Sequence, residues 1–207
     1  MKGLLISFEG IDGSGKSTQA ELLYTHLVDL GYTVYLLREP GGTDIGERIR
    51  SLLLDAAFTE MAPYTELFLY LAARAQICAQ VITPALEKDE LVIMDRFIDS
   101  SSAYQGYARG LGVETVEELN SVAAGGVVPD ITFFVDCDPA TALSRVNSQP
   151  DRLESEGLVF MERVREGFLH LCTVHKDRFV LIDGEQPVDT INRHIISEMS
   201  KRFDASI

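Results

Sequence analysis

Residues Gly10 to Ser17 read Gly-Ile-Asp-Gly-Ser-Gly-Lys-Ser, a G-x-x-x-x-G-K-S pattern, and few short segments limit a fold so strongly. The pattern carries chemistry only between a strand and a helix, and both neighbours fit. Leu4–Phe8 is an apolar run suited to a buried strand. Gln19–Leu30 places Ala20, Leu23, Leu27 and Leu30 at helical spacing. A strand, a glycine-rich turn and a helix together form a cradle for a phosphate chain. Glycines let backbone N–H groups approach phosphate oxygens, and the helix N-terminus adds positive potential. Lys16 is then placed to reach the β and γ phosphates of a nucleotide, and the Ser17 hydroxyl to ligate Mg²⁺.

The rest of the chain extends this unit. Four more apolar or β-branched runs read as strands: Thr33–Leu37, Leu91–Met94, Ile131–Val135 and Phe179–Ile182. All are nearly continuous in hydrophobicity, as expected of parallel strands covered on both faces. Helical stretches lie between them at Ile45–Leu54, Tyr64–Glu87, Glu114–Ala124, Pro139–Val146 and Leu158–His175, and a last one covers Asp189–Phe203. The alternation predicts an α/β fold, a five-stranded parallel sheet flanked by helices on both faces. At 207 residues the chain is expected to be one domain, 1–207. Two polar segments, Gly106–Gly112 and Asn147–Gly157, read as mobile loops, and the second is placed to cover a nucleotide as a lid.

Composition sets limits on partners and location. The net charge of −14, from 18 basic and 32 acidic residues, repels nucleic acid and anionic membranes. It repels nucleotides too, so a phosphate site needs local arginines. The longest uninterrupted apolar run, Leu67–Ala73, is too short to cross a bilayer. Lys2 precedes a strand and not a signal-peptide core. Cys78, Cys137 and Cys172 lack metal-ligand spacing and suit reduced thiols in a cytoplasm.

Further motifs fall where strands end, the edge at which open α/β sheets bind ligands. After the second strand comes Arg38-Glu39-Pro40-Gly41-Gly42-Thr43, with Pro40 a candidate rigid bend; a plain Pro-Gly-Gly turn capped by Thr43 has the same sequence. Arg50 in the next helix faces the same cleft. The third strand ends in Asp95-Arg96. If that strand neighbours the first, Asp95 can hold Mg²⁺ directly or through water, and Arg96 can clamp a phosphate with two N–H groups. Tyr70 and Arg74 share a helix face and suit a stacking plate with a donor fork, although an aromatic at such spacing is more often core. Ser101, Tyr104 and Gln105 offer hydroxyl, phenol and amide groups for a sugar and a base edge; a serine-rich helix cap has the same look. Residues 145–154 read as a lid or as a solvated connection.

In this order and spacing, Gly10–Ser17, Arg38-Glu-Pro-Gly-Gly, Tyr70 with Arg74, Asp95-Arg96-Phe97, Ser-Ala-Tyr104-Gln105-Gly and Asp151-Arg152-Leu-Glu resemble the thymidylate kinases, P-loop enzymes of bacterial type, over nearly the whole chain. The resemblance implies ATP-dependent phosphorylation of dTMP to dTDP with Mg²⁺, in a homodimeric cytoplasmic enzyme. It implies an ATP site at Gly10, Ile11, Asp12, Gly13, Ser14, Gly15, Lys16, Ser17 and Thr18, with Arg145 against the adenine. Asp12 would meet the sugar 3′-hydroxyl or a metal-bound water. Arg96, Arg50 and Arg38 would clamp the dTMP phosphate beside Pro40. Tyr70, where the family usually has Phe, would stack on thymine, and Arg74 would donate to O4. Ser101 and Gln105 would read the base edge, and Tyr104 would crowd the sugar 2′ position. Gly13 stands where the eukaryotic form has arginine, so the missing charge would come from the lid through Arg152. Two alternatives stay open on the residues alone. Another small-molecule kinase shares the phosphate loop, and so does a GTPase switch, although no N/T-K-x-D guanine reader occurs.

Overall fold

The computed structural model describes residues 3–146 and 151–203. Positions 147–150 of the expected lid lie outside the described residues. The strands β1 (Leu4–Glu9), β2 (Val34–Arg38), β3 (Leu91–Asp95), β4 (Ile131–Asp136) and β5 (Phe179–Asp183) form one parallel sheet in the order β2-β3-β1-β4-β5. The phosphate-loop strand is therefore central, with β3 and β4 on either side. In register, Phe8 and Arg38 both lie opposite Asp95, and Asp136 lies opposite Asp183. One edge of the sheet thus collects the charged ends of several strands.

Alternating residues of each strand feed two cores. On one face Ile6, Phe8, Ile93 and Phe133 pack with Leu23 and Leu27 of α1 (Lys16–Asp29) and with Ile191, Ile195 and Met199 of α9 (Val188–Phe203). On the other, Leu5, Val92 and Met94 meet Ile77 of α3 (Pro63–Ile77), while Phe134 meets Val164, Phe168 and Leu171 of α8 (Leu158–Val174). Coverage of both faces explains why the strands read as continuous apolar runs. The remaining helices are α2 (Asp44–Leu54), α4 (Thr83–Leu86), α5 (Ile98–Ser101), α6 (Val113–Ala123) and α7 (Pro139–Arg145).

Three sequence expectations change. The segment expected as a single helix over Tyr64–Glu87 is α3, a π-helical stretch Cys78–Ile82 and α4 in succession. Pro84 has no N–H to give and its ring would strike the carbonyl four residues earlier; the wider turn just before it relieves that conflict. This helical run, Pro63–Leu86, is also long and apolar enough to cross a membrane by composition, which a count of uninterrupted apolar residues missed. Its Leu67, Arg74 and Ile77 are instead buried against the rest of the protein.

The third change is at Ser100–Gly112. Its first half is helical, α5 continuing as a π-helical turn over Ser102–Ala108, so the expected loop begins only after Ala108. Serine-rich sequence has low helix propensity and shows no apolar period. The segment is helical because it packs on α8 at close range: a Cβ on Gly167 would sit 2.9 Å from Tyr107 Cβ and 3.1 Å from Ala103 Cα. Phe168, fully buried, stacks on Phe134 at 4.9 Å and meets Tyr104 edge-on at 6.3 Å, joining this segment to the sheet. Phe168→Ala is expected to lower unfolding free energy by about 3–5 kcal/mol, read from the urea midpoint at constant slope.

Candidate active site

β1 ends at Glu9, and residues 10–15 turn tightly into α1, whose first turn carries no acidic side chain. The glycines here are sterically required. Gly13 has φ +82°, and a Cβ on it would lie 2.1 Å from the Ala142 carbonyl oxygen of α7. Contact with α7 thus explains the missing side chain at position 13 without reference to charge. The loop, Arg145 and Gly184 line an open cavity of ≈ 430 Å³. Lys16 is almost wholly buried, and its Nζ donates to Asp12 Oδ1 at 2.9 Å. Arg145 Nη1 reaches the Gly184 carbonyl at 3.1 Å and the Gly13 carbonyl at 3.4 Å, on the wall of the same cavity.

The β1–β3 pairing brings Ser17 and Asp95 together. The Ser17 hydroxyl donates to Asp95 Oδ2 at 2.5 Å, and Asp95 Oδ1 is buried without a partner among the described residues. A hard cation with oxygen preference fits that donor set. Among the described residues no group of three or more ligating side chains gathers, so water and phosphate oxygens would complete an octahedral shell.

A second cavity, ≈ 360 Å³, opens beside the first, and Asp12 lines both. Pro40, Arg50, Tyr70, Arg96, Ser101, Tyr104 and Gln105, all expected from sequence, line it. Arg96 is held on every side. Its φ is +69°, rare for a residue with a Cβ. Its Nη2 donates to Asp12 Oδ1 at 2.7 Å, its Nη1 to Ser100 Oγ at 3.3 Å, and its guanidinium lies 5.2 Å from the Tyr104 ring centre. Burial alone would raise the Asp12 carboxyl, but Arg96 and Lys16 hold it well below the usual carboxylate range. Burial works against the Arg96 charge too, and Asp12 outweighs it, so Arg96 stays firmly protonated. Arg50 donates to the Pro40 carbonyl at 3.0 Å. The Glu39–Pro40 peptide is cis. The Tyr104 hydroxyl is buried and makes no hydrogen bond among the described residues, and burial pushes the Tyr70 and Tyr104 phenols up, so both rings stay neutral.

Three expected site residues lie elsewhere. Arg38 forms a two-pronged pair with Glu47, both contacts 3.1 Å, and faces a separate cleft beside Ser17 and Asp95. It does not line the Arg96 cavity: its guanidinium is taken by Glu47 and, at 3.4 Å, by the Pro40 carbonyl. Arg74 is fully buried with all five donors engaged. They reach Glu39 at 3.0 and 2.5 Å, Ser101 Oγ at 3.0 Å, the Phe97 carbonyl at 3.0 Å, and Asn120 Oδ1. Nothing remains to donate to a base oxygen. Arg152, expected as the mobile lid cation, is buried: its Nε donates to the Leu53 carbonyl at 2.8 Å and its Nη2 pairs with Glu66 at 2.6 Å. It ties the segment after residue 150 to α2 and α3.

Sequence reasoning found no signal for Glu66, and it marked Glu39, Ser100 and Leu153 only as members of longer motifs, with no role of their own. Glu66 is buried on α3 and accepts from Gln105 Nε2 at 2.9 Å, Arg109 Nη2 at 3.1 Å and Arg152. Burial opposes its ionisation, yet Arg109 and Gln105 hold its carboxyl below the ordinary value. A carboxylate within the first turn of an apolar helix reads as surface; only the fold reveals three donors converging on it. Glu39, Ser100 and Leu153 line the second cavity.

A phosphate cradle, a neighbouring serine–aspartate pair and an arginine-lined second pocket define a P-loop nucleotide-binding protein built to hold two phosphorylated ligands end to end. Comparison with known proteins narrows this. The family model described as thymidylate kinase matches residues 8–195. A protein named thymidylate kinase from Caldanaerobacter subterraneus is 48% identical over 202 residues, 97% of each chain. Another from Lactobacillus acidophilus is 43% identical, covering 100% of this chain and 98% of its own. The crystal structure of thymidylate kinase from Ehrlichia chaffeensis superposes with a TM-score of 0.81 at 33% identity, over 96% of this chain and 100% of that one. The chain belongs to the thymidylate kinase family.

The Arg74 network gives a stability test. Arg74→Ala leaves Glu39 buried and uncompensated, so unfolding free energy should fall by about 3–5 kcal/mol. A denaturation midpoint within error of wild type would show that the network relaxes without loss.

Proposed function

We infer that the chain transfers the γ-phosphoryl group of ATP to the phosphate of dTMP, giving dTDP. The observation that carries this is the position of Asp12 between two cavities, with Lys16 on one side and Arg96 on the other. ATP occupies the loop cavity, its phosphates on the backbone N–H groups of 13–18 and its adenine beside Arg145. The monophosphate enters the second cavity with its phosphate on Arg96 and Arg50, and its base between Tyr70 and the 101–105 turn. The acceptor oxygen is already anionic, so no strong general base is needed. Alignment and charge neutralisation carry the rate.

Mg²⁺ bound at Ser17 and Asp95 would supply charge neutralisation on the β and γ phosphates. Support lies in the unpartnered Asp95 oxygen. Before substrates bind, Asp12 keeps Lys16 and Arg96 paired, so two cations do not face each other bare. Incoming phosphates then compete for both.

Base selection is assigned to Gln105, with Glu66 behind it. The Gln105 amide nitrogen donates to Glu66, which leaves its carbonyl to accept a hydrogen bond. Thymine offers N3–H; cytosine N3 has none. A pocket built to pair a donor rejects an analogue without it by up to ~10⁴, whereas one methyl group is worth only ~10–200-fold. With ATP fixed, dTMP should therefore lead dUMP moderately and dCMP by far in a coupled assay that also includes UMP, CMP and AMP. Comparable turnover of dCMP and dTMP would remove Gln105 from this role. Lys16→Ala should lower kcat on the order of 10²-fold or more with the fold intact by circular dichroism. Arg145→Ala should raise the KM for ATP with little change for dTMP, whereas Arg152→Ala should act first on the melting temperature.

We further propose a homodimer through α2 and α3, on the support of exposed Ile45, Leu52, Tyr64 and Phe68 on these adjoining helices. Cytoplasmic action on free nucleotides fits the three unpaired cysteines.

A further inference from the structure

Glu9, the last residue of β1, is fully buried at the rear of the second cavity and makes no direct ion pair among the described residues. Its Oε1 accepts from the Phe97 amide at 2.7 Å and from Ser7 Oγ at 2.9 Å; its Oε2 accepts from Ser100 Oγ at 2.5 Å. Two of these donors, the Phe97 amide and the Ser100 hydroxyl, follow Arg96 in the chain. The Arg96 amide donates to the Phe8 carbonyl at 2.9 Å, next to Glu9 in sequence. Its side chain donates to the same Ser100 hydroxyl. The left-handed turn at Arg96 is unfavourable for a residue with a Cβ, and persists only if neighbouring contacts hold it. The Phe8 carbonyl holds the turn at the Arg96 amide, and the Glu9 carboxylate holds it at Phe97 and Ser100.

We propose that Glu9 is a positioning residue for the acceptor phosphate: its carboxylate holds the Phe97 amide and the Ser100 hydroxyl, and through them fixes the turn that aims Arg96 into the cavity. This rests on the reading of Arg96 as the clamp on the monophosphate.

The charge state matters for the direction of the Ser100 hydrogen bond. Ionised Glu9 accepts the Ser100 proton, which leaves a serine lone pair for Arg96. Protonated Glu9 has to donate, and Ser100 Oγ is the acceptor beside it, in competition with Arg96. Burial and the nearby Asp99 of α5 push the Glu9 carboxyl up to about 7, against the Ser100 hydrogen bond, Arg96 and the Phe97 amide. Arg178, ahead of β5, and the Tyr104 phenol also face it. The signs for fold and site are opposite. A carboxyl raised above its ordinary value of 4.5 stabilises the fold most below that value, and the contribution is lost as pH rises through about 7. The clamp, by contrast, forms as pH rises through the same range.

The test uses Glu9→Gln, Ser100→Ala and the double variant, with initial rates at varied dTMP and varied ATP between pH 5.5 and 8.5, and melting temperatures at pH 6 and 8. Glu9→Gln should raise the KM for dTMP about tenfold, with the KM for ATP within about twofold. It should flatten the limb of kcat/KM near pH 7 and leave the pH 8 melting temperature equal to or above wild type. Ser100→Ala should flatten the same limb, and the double variant should be worse by less than the product of the singles, since the two share one path. Equal loss for both substrates, fully multiplicative effects, or activity that falls only in step with the melting temperature would overturn the proposal. If Glu9→Gln does not fold, an unchanged limb in Ser100→Ala overturns it. Lack of dTMP turnover in the wild-type protein would instead overturn the assigned substrate. The KM split is then read on whichever monophosphate the wild type accepts.

Discussion

One carboxylate oxygen holds the centre of this molecule together. Asp12 Oδ1 accepts from Lys16 at 2.9 Å and from Arg96 at 2.7 Å, so a loop residue, a helix residue and a strand-end residue share a single atom. The pairing requires β1 beside β3, since only then does Arg96 come within reach of the phosphate loop. It also resolves an electrostatic problem. A site for two polyanions needs concentrated positive charge, and that charge would be self-repelling in the empty protein. A carboxylate between the cations removes the repulsion.

Around that atom, the chain sorts its arginines by use. Those that face the cavities, Arg96, Arg50 and Arg145, are held through backbone carbonyls, a hydroxyl, a ring or Asp12, and keep donors for ligand. Arg74 and Arg152 are buried against Glu39 and Glu66, where they join α3 to the strand-end loops and to the segment after residue 150. A buried carboxylate–guanidinium pair contributes little net stability but is costly to break, so it specifies geometry more than it adds energy. The two glutamates therefore set the shape of the acceptor cavity although only Glu39 lines it.

The segment from Ile98 to Ala108 shows how packing overrides local preference. Alone it has little reason to be helical. Pressed on Gly167 and Phe168 of α8, it becomes α-helical and then π-helical. Ser101, Tyr104 and Gln105, at i, i+3 and i+4, fall on one face of this helical run, and all three line the second cavity. A π-turn at a binding surface is a recurrent device of this kind.

Sequence by itself determined the strands, most helices and the phosphate loop; the serine–aspartate pair followed only once the sheet order set β3 beside β1. The first three rest on local pattern: apolar runs for strands covered on both sides, 3.6-residue spacing for helices, and a glycine-rich turn whose chemistry is set by its own backbone. Most of the second cavity was legible too, since strand ends and one helix face place Arg96, Arg50, Tyr70 and Gln105. What sequence did not decide was the partner of each long charged side chain. Arg38, Arg74 and Arg152 sit in motifs beside the site, yet their guanidinium groups turn to Glu47, Glu39 and Glu66. Those glutamates lie up to 86 positions away in sequence, as Arg152 and Glu66 do, and no local period links them. An arginine side chain spans several ångströms from its Cα, so its backbone position does not fix where its charge goes. Tertiary packing fixes it, because a buried charge must find its counter-charge wherever the fold has placed one.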